Sequence, residues 1–392
     1  MQGVALAHTL LLAGTVLTGC SSPQSPEAVP TGPPCVVATD LVPATGVLSG
    51  VNLDWQNGTV AEYASRLGRR PAVVVYSTAF PLPEDGKQNV DAAVGQIKAN
   101  GGILLLTLEP HDGLDAVTPG KAEELARQLA GYNNAGVPVV VRFGQEMNGG
   151  WFPWGQQPAA YIAAFRTVAD AVHRIAPGSD MMWAPNYGGG YPFDGGQYRA
   201  KAGTMDAGSL DTDGDGAVTV ADDPYRPYYP GDDAVDWVGM SLYHWGTTYL
   251  SGTNVVPEEG KFLQQLTGTY NGVGGDERNV PDFYADYGTA RNKPVAIPET
   301  AALSIPSRGG DDELAIKQAW WRQLFDPAIP RDYPALKMVN WFEWEKLEVD
   351  LDVKAEVNWT VAKEDTVRDA YIADLPEWFT SAAEPQACTP VG

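Results

Sequence analysis

The chain has 392 residues, a formal net charge of −23 at pH 7 and 44% hydrophobic residues. This length and apolar content suffice for one large domain or two ordinary ones. The negative charge excludes binding to a nucleic-acid phosphate backbone and disfavours anionic membrane surfaces, so a neutral partner is expected. The 12 tryptophans and 17 tyrosines supply rigid rings of the kind that stack on sugars, although about half of them are expected in the core.

The N-terminal residues predict export from the cytoplasm. Residues 4–19 are small, apolar and uncharged, too short to span a membrane but typical of the core of a signal peptide, which we predict over residues 1–20. The tetrapeptide Leu17-Thr18-Gly19-Cys20 resembles the lipobox of bacterial lipoproteins, in which Cys20 would carry a lipid. No Lys or Arg precedes the apolar stretch, so ordinary cleavage remains the alternative. Both predictions give an extracellular protein, either freely secreted or lipid-anchored at the cell surface.

A Pro/Ser-rich tether is predicted over residues 21–40, followed by a single folded domain over residues 41–392. Two cysteines remain, Cys35 and Cys388, near the edges of the folded part. Because an extracellular compartment permits disulfides, we expect these two cysteines to pair. Pairing requires the two chain ends to lie close together, as they do in a closed barrel. Two unpaired surface thiols are the alternative.

Short apolar runs alternate with helical patterns from residue 47 onward. The predicted strands are Val47–Leu53, Ala72–Ser77, Gly102–Leu108, Val137–Phe143, Met181–Pro185, Val235–Leu242, Pro294–Ile297 and Leu336–Phe342. Apolar positions at three- and four-residue spacing predict helices over Ala122–Tyr132, Ala159–Ile175, Glu313–Phe325 and Val367–Phe379. Eight consecutive strand–helix units predict an α/β protein with a (β/α)8 TIM barrel. An open doubly wound sheet is the alternative, but no Gly-rich phosphate loop follows the first strand.

The fourth predicted strand ends in a cluster of polar and aromatic residues, VVVRFGQEMNGGWFPWG, at residues 139–155. A parallel strand is apolar on both faces, so this cluster is expected at its carboxyl end, where barrel enzymes keep their active sites. The cluster contains Glu146, and the seventh strand ends in a second carboxylate, Glu299. Strands four and seven lie on opposite sides of a barrel mouth, so the two groups can converge into the carboxylate pair that a retaining glycosidase needs.

With these motifs the chain resembles glycoside hydrolase family 26. The resemblance covers most of residues 47–380 and rests on Arg142 with Glu146–Trp154, on Asp236–Tyr243, on Lys293–Thr300 and on Asn340–Phe342. It implies that Glu146 is the catalytic acid/base and Glu299 the nucleophile. It also implies that Tyr243 hydrogen-bonds Glu299 and that Trp151 and Trp341 stack on sugar. The full set of predicted substrate-binding residues is Arg142, Gln145, Asn148, Trp151, Trp154, Tyr243, Trp341 and His111.

The resemblance implies endo-hydrolysis of a neutral β-linked polysaccharide by double displacement, with β-1,4-mannan the most common substrate. Mixed-linked β-glucan and β-1,3-xylan are alternatives. The family usually has His directly before its acid/base, whereas this chain has Gln145; a Gln amide can still donate to a sugar hydroxyl. Because of Gln145, a catalytically silent barrel that binds glycans is the second class of function. His111 is a candidate to supply a ring nitrogen to the cleft, and a loop or structural histidine is the alternative.

Further residues at strand ends compete for a place in the cleft. Glu109, Glu343 and Glu345 follow other predicted strands, and we expect them to satisfy amides of the barrel rim. Additional sugar platforms are predicted at Trp55, Trp183, Trp245 and Trp344.

The connection between strands five and six contains the sequence DTDGDGAVTVAD at residues 211–222. It matches the ligand spacing of a calcium loop, which predicts a structural Ca²⁺ in this insertion. The predicted ligands are Asp211, Asp213, Asp215, the carbonyl of Ala217 and Asp222. A merely Asp/Gly-rich turn is the alternative. We expect no organic cofactor, and we expect a monomer.

Overall fold

The structure is a computed structural model, and it describes residues 41–193, 195–246, 252–272, 280–348 and 354–384. The predicted signal peptide with Cys20, the tether of residues 21–40 and the predicted disulfide between Cys35 and Cys388 lie outside the described residues. Among the described residues, no helix combines the length and the apolar character needed to cross a membrane.

Eight parallel strands form a closed barrel. They are β1 (Val47–Leu53), β2 (Val73–Ala79), β3 (Ile103–Glu109), β4 (Val139–Phe143), β5 (Ser179–Trp183), β6 (Trp237–Ser241), β7 (Val295–Thr300) and β8 (Leu336–Glu343). Each strand pairs with the next, and β8 pairs back with β1, where Leu48 lies opposite Met338 and Leu53 opposite Glu343. The predicted (β/α)8 barrel is therefore confirmed, and each strand overlaps the apolar run that predicted it.

Helices surround the barrel between the strands. They are α1 (Val60–Leu67), α2 (Glu84–Asn100), α3 (Pro119–Asn134), α4 (Pro158–Ile175), α5 (Met205–Leu210), α6 (Lys261–Leu266), α7 (Glu313–Leu324), α8 (Ile329–Asp332) and α9 (Asp365–Asp374), with a π-helical turn at Tyr284–Thr289. Local sequence explains several starts, since Thr59 and Glu62 form a capping box at α1 and Asp312 caps α7. Strands β9 (Glu345–Glu348) and β10 (Ala355–Asn358) form an antiparallel pair beyond β8.

The prediction that the last helix runs to Phe379 is wrong. Helix α9 ends at Asp374, because Leu375 precedes a proline and adopts an extended conformation. The residues beyond it form a two-residue strand, β11 (Phe379–Thr380), which pairs with the start of β1.

Alternating residues of the strands face two different apolar layers. One layer fills the barrel and includes Val75, Leu105 and Val140, whereas their neighbours in sequence pack between the strands and the helices. Continuing this period of two, Arg142 follows Val140 into the barrel and Glu109 follows Leu105. The strand ends therefore deliver polar side chains to the barrel mouth.

Candidate active site

Arg142 connects three strands at the barrel mouth. Its side chain is 1% exposed, and it donates to Glu299 Oε2 at 2.7 Å and to Ser241 Oγ at 2.5 Å. Tyr243 donates its hydroxyl to the other carboxylate oxygen of Glu299. Burial raises the pKa of the Tyr243 phenol well above its usual value, so this hydroxyl stays protonated and available as a donor. Glu299 is thus fixed by a cation on one oxygen and a neutral donor on the other.

Glu146 lies in a tight turn directly after β4. Gly144 and Glu146 both have positive φ, 52° and 56°, which is uncommon for a residue other than glycine. The turn is held from outside, because the Glu146 N–H donates to the carbonyl of Ala184 at 2.9 Å. Asn148 and the backbone of Asn186 exchange two hydrogen bonds, both at 2.8 Å. The backbone strain is therefore balanced by bonds to the segment that follows β5.

The carboxyl group of Glu146 interacts electrostatically with that of Glu299. Burial, and next the negative charge of Glu299, raise the pKa of Glu146, while Arg142, Ser241 and Trp151 oppose this shift. Trp151 donates its indole N–H to Glu146 Oε2 at 3.0 Å. Two carboxyl groups in one electrostatic environment, one favoured in its protonated form and one paired with a guanidinium, are the components of acid/base and nucleophilic chemistry.

Several residues predicted to contact substrate are too buried to do so, which corrects those predictions. Arg142 and Asn148 have 1% and 0% of their surface exposed and serve to hold the carboxylates and the turn. Trp154 is fully buried, stacks on Phe152 and donates to the carbonyl of Gln145. Trp341 is 2% exposed, because the alternation along β8 turns it toward the helices, and its indole N–H donates to the carbonyl of Trp359 at 2.8 Å.

Other aromatic residues do present surface at the mouth. Trp151, Trp245, Trp344 and Trp55 are half-buried, so ring surface is available for stacking on a sugar. Trp344 packs parallel to Phe342 at 5.6 Å between ring centroids. The predicted platform at Trp183 is wrong, since this side chain is fully buried and stacks on Phe283.

Gln145, His111 and Glu109 form a polar group beside the turn. Gln145 is 6% exposed and donates its amide to Glu109 Oε1 at 2.8 Å. His111 is a loop histidine with an exposed side chain, and its Nε2 lies 3.1 Å from Glu109 Oε2. The amide that was expected to meet a sugar hydroxyl therefore binds a carboxylate of the protein.

The remaining carboxylates at strand ends lie outside this arrangement. Glu343 is 8% exposed and accepts the N–H groups of Val361 and Ala362, both at 2.9 Å. Glu345 is exposed and pairs with Lys363. The expectation that these carboxylates accept amides of the rim agrees with the contacts of Glu343, whereas Glu345 binds a lysine side chain instead.

Burial of Glu343 predicts a pH-dependent contribution to stability. Burial raises its pKa from 4.5 to about 7, against the opposing effect of the two amides. The folded state then binds more protons than the unfolded state between these values, so the stabilisation is complete below pH 4.5 and lost as the pH rises through 7. We expect wild type to lose about 3 kcal/mol of unfolding free energy across this window relative to Glu343→Gln. Urea unfolding at several pH values measures this difference, and parallel curves for the two proteins would contradict it.

The predicted calcium loop lies between β5 and β6, directly after α5. Asp211, Asp213 and Asp215 each offer a carboxylate oxygen within 4.8 Å of the others, and oxygens on opposite sides of a calcium ion are separated by about this distance. Asp222 does not join them. It is 1% exposed, and its carboxylate accepts backbone N–H groups of the loop, among them those of Asp213 and Thr219. The donor set fits a calcium ion through three of the predicted carboxylates.

The sequence reasoning missed Ser241 and Phe193. Ser241 accepts from Arg142 and lowers the pKa of Glu146, so it acts on both halves of the site. Its position two residues before Tyr243 on β6 is the signal that could have placed it on the inward face. Phe193 contacts Trp151 edge-on at 5.1 Å, and no motif marks it.

A parallel barrel with two charge-coupled carboxyl groups and half-buried tryptophans at its mouth is the arrangement of a glycoside hydrolase. Comparison with known proteins agrees, and it confirms the resemblance to family 26. Residues 74–189, which include Glu146 but not Glu299, match the family model described as glycosyl hydrolase family 26.

Three individual proteins illustrate the comparison. Endoglucanase H of Acetivibrio thermocellus is 26% identical over 257 residues, which are 63% of this chain and 22% of that protein. This chain therefore spans less than a quarter of that relative's length. The structure of GH26C from a Muricauda species has a TM-score of 0.51 at 14% identity, and the match covers 86% of this chain and 90% of that one. An endo-β-1,4-mannanase double mutant of Cellulomonas fimi has a TM-score of 0.51 at 17% identity, covering 86% of this chain and 72% of that one. At these identities the two structural likenesses show the fold.

Proposed function

We propose that the protein is a retaining endo-glycoside hydrolase that cleaves a neutral β-linked polysaccharide. The observation that carries this proposal is the meeting of Glu146 and Glu299 around Arg142 at the carboxyl ends of the strands. The half-buried Trp151, which is hydrogen-bonded to Glu146, supplies a sugar-binding surface next to the reacting groups.

The contacts of the two carboxyl groups support distinct roles. Glu299, oriented by Arg142 and Tyr243, attacks the anomeric carbon while Glu146 gives its proton to the departing glycosidic oxygen. The raised pKa of Glu146 supports its role as the proton donor. Glu146, now ionised, takes a proton from water, whose oxygen bonds to the anomeric carbon as the bond to Glu299 breaks. Two displacements at one carbon give a product of retained configuration.

A panel of soluble β-mannan, mixed-linked β-glucan and β-xylan tests the activity. We expect new reducing ends from at least one of them, and proton NMR of the first product is expected to show the β-anomer before it equilibrates. An α-anomer would exclude the double displacement. Saturable binding to a glycan without released reducing ends would favour the silent barrel instead.

Two polysaccharides of this panel are supported as the preferred substrate. The family resemblance favours β-1,4-mannan. Mixed-linked β-glucan is the second candidate, because the relative with 26% identity is named an endoglucanase and because Gln145 stands where the family usually has histidine. The relative rates on the two polymers decide between them.

We also propose that the protein acts outside the cytoplasm as a monomer, either secreted or anchored by a lipid on Cys20. The apolar segment of residues 4–19 and the net charge of −23 support this location. Mass spectrometry of the exported protein identifies the mature N-terminus and any lipid. The same measurement, with and without reductant, tests the disulfide between Cys35 and Cys388.

A structural calcium ion is proposed at Asp211, Asp213 and Asp215. It would neutralise three adjacent carboxylates and hold the loop between β5 and β6 in one conformation. We assign it no part in the chemistry, since the group lies in the insertion and not among the contacts of Glu146 and Glu299.

Removal of this ion is expected to lower the melting temperature. Calcium at 100 times its dissociation constant stabilises the folded protein by about 2.7 kcal/mol. Thermal unfolding with EGTA, and again after calcium is restored, measures the effect. Asp213→Asn is expected to abolish the response, whereas Asp233→Asn, which changes an exposed aspartate paired with Arg166, retains it. Identical melting curves with and without calcium would overturn the proposal.

A further inference from the structure

Glu109 ends strand β3, and its carboxylate contacts the turn that carries Glu146 through a single neighbour. Gln145 Nε2 donates to Glu109 Oε1 at 2.8 Å. Gln145 itself is 6% exposed, so its amide depends on partners within the protein. Its backbone carbonyl accepts from the indole of Trp154 at 2.8 Å. Gln145 is therefore held at its side chain by β3 and at its backbone by the loop beyond the turn.

The residue after Gln145 needs such support. Glu146 has a φ of 56°, and a non-glycine residue keeps this conformation only where its surroundings determine it. On one side of Glu146 the turn is held by the bonds of Asn148 to Asn186. On the other side, two bonds reach the adjacent strand β3: the Gly144 N–H donates to the carbonyl of Leu108 at 2.9 Å, and the Gln145 side chain donates to Glu109.

We propose that Glu109 is a positioning residue of the reaction, which fixes Gln145 and thereby the direction in which the Glu146 carboxyl group points. This inference rests on the proposed function. It also changes the role expected of Gln145, which becomes a link between Glu109 and the turn in place of a ligand of the sugar.

Glu109 acts in this proposal through geometry and not through its charge. The main influences on the pKa of Glu146 are burial, Glu299, Arg142, Ser241 and Trp151, and Glu109 is not among them. A neutral residue that keeps an acceptor oxygen should therefore replace Glu109, whereas one without an acceptor should not. Glutamine and alanine separate these two cases.

The test compares Glu109→Ala and Glu109→Gln in the full chain, with Glu345→Ala as the control. Glu345 is an exposed carboxylate that pairs with Lys363 outside the turn. Kinetics use the polysaccharide that wild type cleaves. In Glu109→Ala we expect kcat to fall by roughly 100-fold, as for a misplaced reacting group, with KM and the pH profile nearly unchanged. Glu109→Gln is expected to recover most of the lost kcat, and the control to behave like wild type.

A second measurement is independent of activity. Hydrogen exchange of residues 143–149 is expected to be faster in Glu109→Ala than in wild type and to be normal in Glu109→Gln. Unchanged exchange in Glu109→Ala would overturn the inference, as would an effect on KM alone, which would make Glu109 a sugar ligand. If wild type cleaves none of the polysaccharides, the proposed function fails, and the exchange data still decide whether Glu109 holds the turn.

Discussion

Glu299→Gln is expected to reduce hydrolysis by on the order of 10⁴-fold or more, since an amide cannot attack the anomeric carbon. The substitution is nearly isosteric. It leaves an oxygen to accept from Arg142, and the Tyr243 hydroxyl can rotate to accept from the new amide group. The fold and the affinity for glycan should therefore remain, which circular dichroism and a binding isotherm can check beside the rate.

Glu146→Gln belongs to the same experiment, because it removes the other half of the pair. Loss of general acid/base catalysis costs about 10²- to 10⁴-fold, and the loss should be smaller for aryl glycosides whose leaving group needs no proton. Glu345→Gln is the matched control, as its carboxylate is exposed and bonded to Lys363. Wild-type turnover in either Glu146→Gln or Glu299→Gln would refute the assignment of that residue.

Arg142→Met is expected to have the largest effect on stability. Arg142 is 1% exposed and donates to Glu299 and Ser241, so methionine would leave a carboxylate without its cation. Breaking a buried ion pair from one side costs about 3–5 kcal/mol. Activity should fall as well, because Glu299 loses the bond that orients it. Urea unfolding and the initial rate measure the two effects.

The control for Arg142→Met is Arg166→Met. Arg166 pairs with Asp233 on the surface at 2.6 Å, and exposed pairs contribute less than about 1 kcal/mol. Similar losses of unfolding free energy in the two variants would show that the buried position of Arg142 does not matter.

The barrel could be predicted from the sequence because parallel strands covered on both sides are continuous apolar runs. The same reasoning places Glu146 and Glu299 at the mouth, since both directly follow such runs. The same reasoning could also have shown that Trp341 faces the helices. The family resemblance had instead implied that this residue stacks on sugar. Counting by twos from Met338 turns Asn340 inward and Trp341 toward the helices.

Contacts between loops could not be predicted in this way. Trp154 belongs to a turn without periodicity, so nothing in the sequence indicates that it is fully buried against Phe152. Spacing along the predicted calcium loop indicated the group of Asp211, Asp213 and Asp215. It failed for Asp222, which closure of the loop buries away from the other three carboxylates, although all four accept N–H groups of the loop.

The positive φ of Glu146 implies that activity and stability favour different residues at position 146. A backbone with φ of 56° suits glycine and costs a side-chain-bearing residue about 1 kcal/mol or more. Glycine would relieve this strain. It would also remove a carboxyl group whose ionised form is repelled by Glu299. Selection for thermal stability alone would therefore tend to replace Glu146, so the acid/base role proposed for this residue opposes the preference of its backbone.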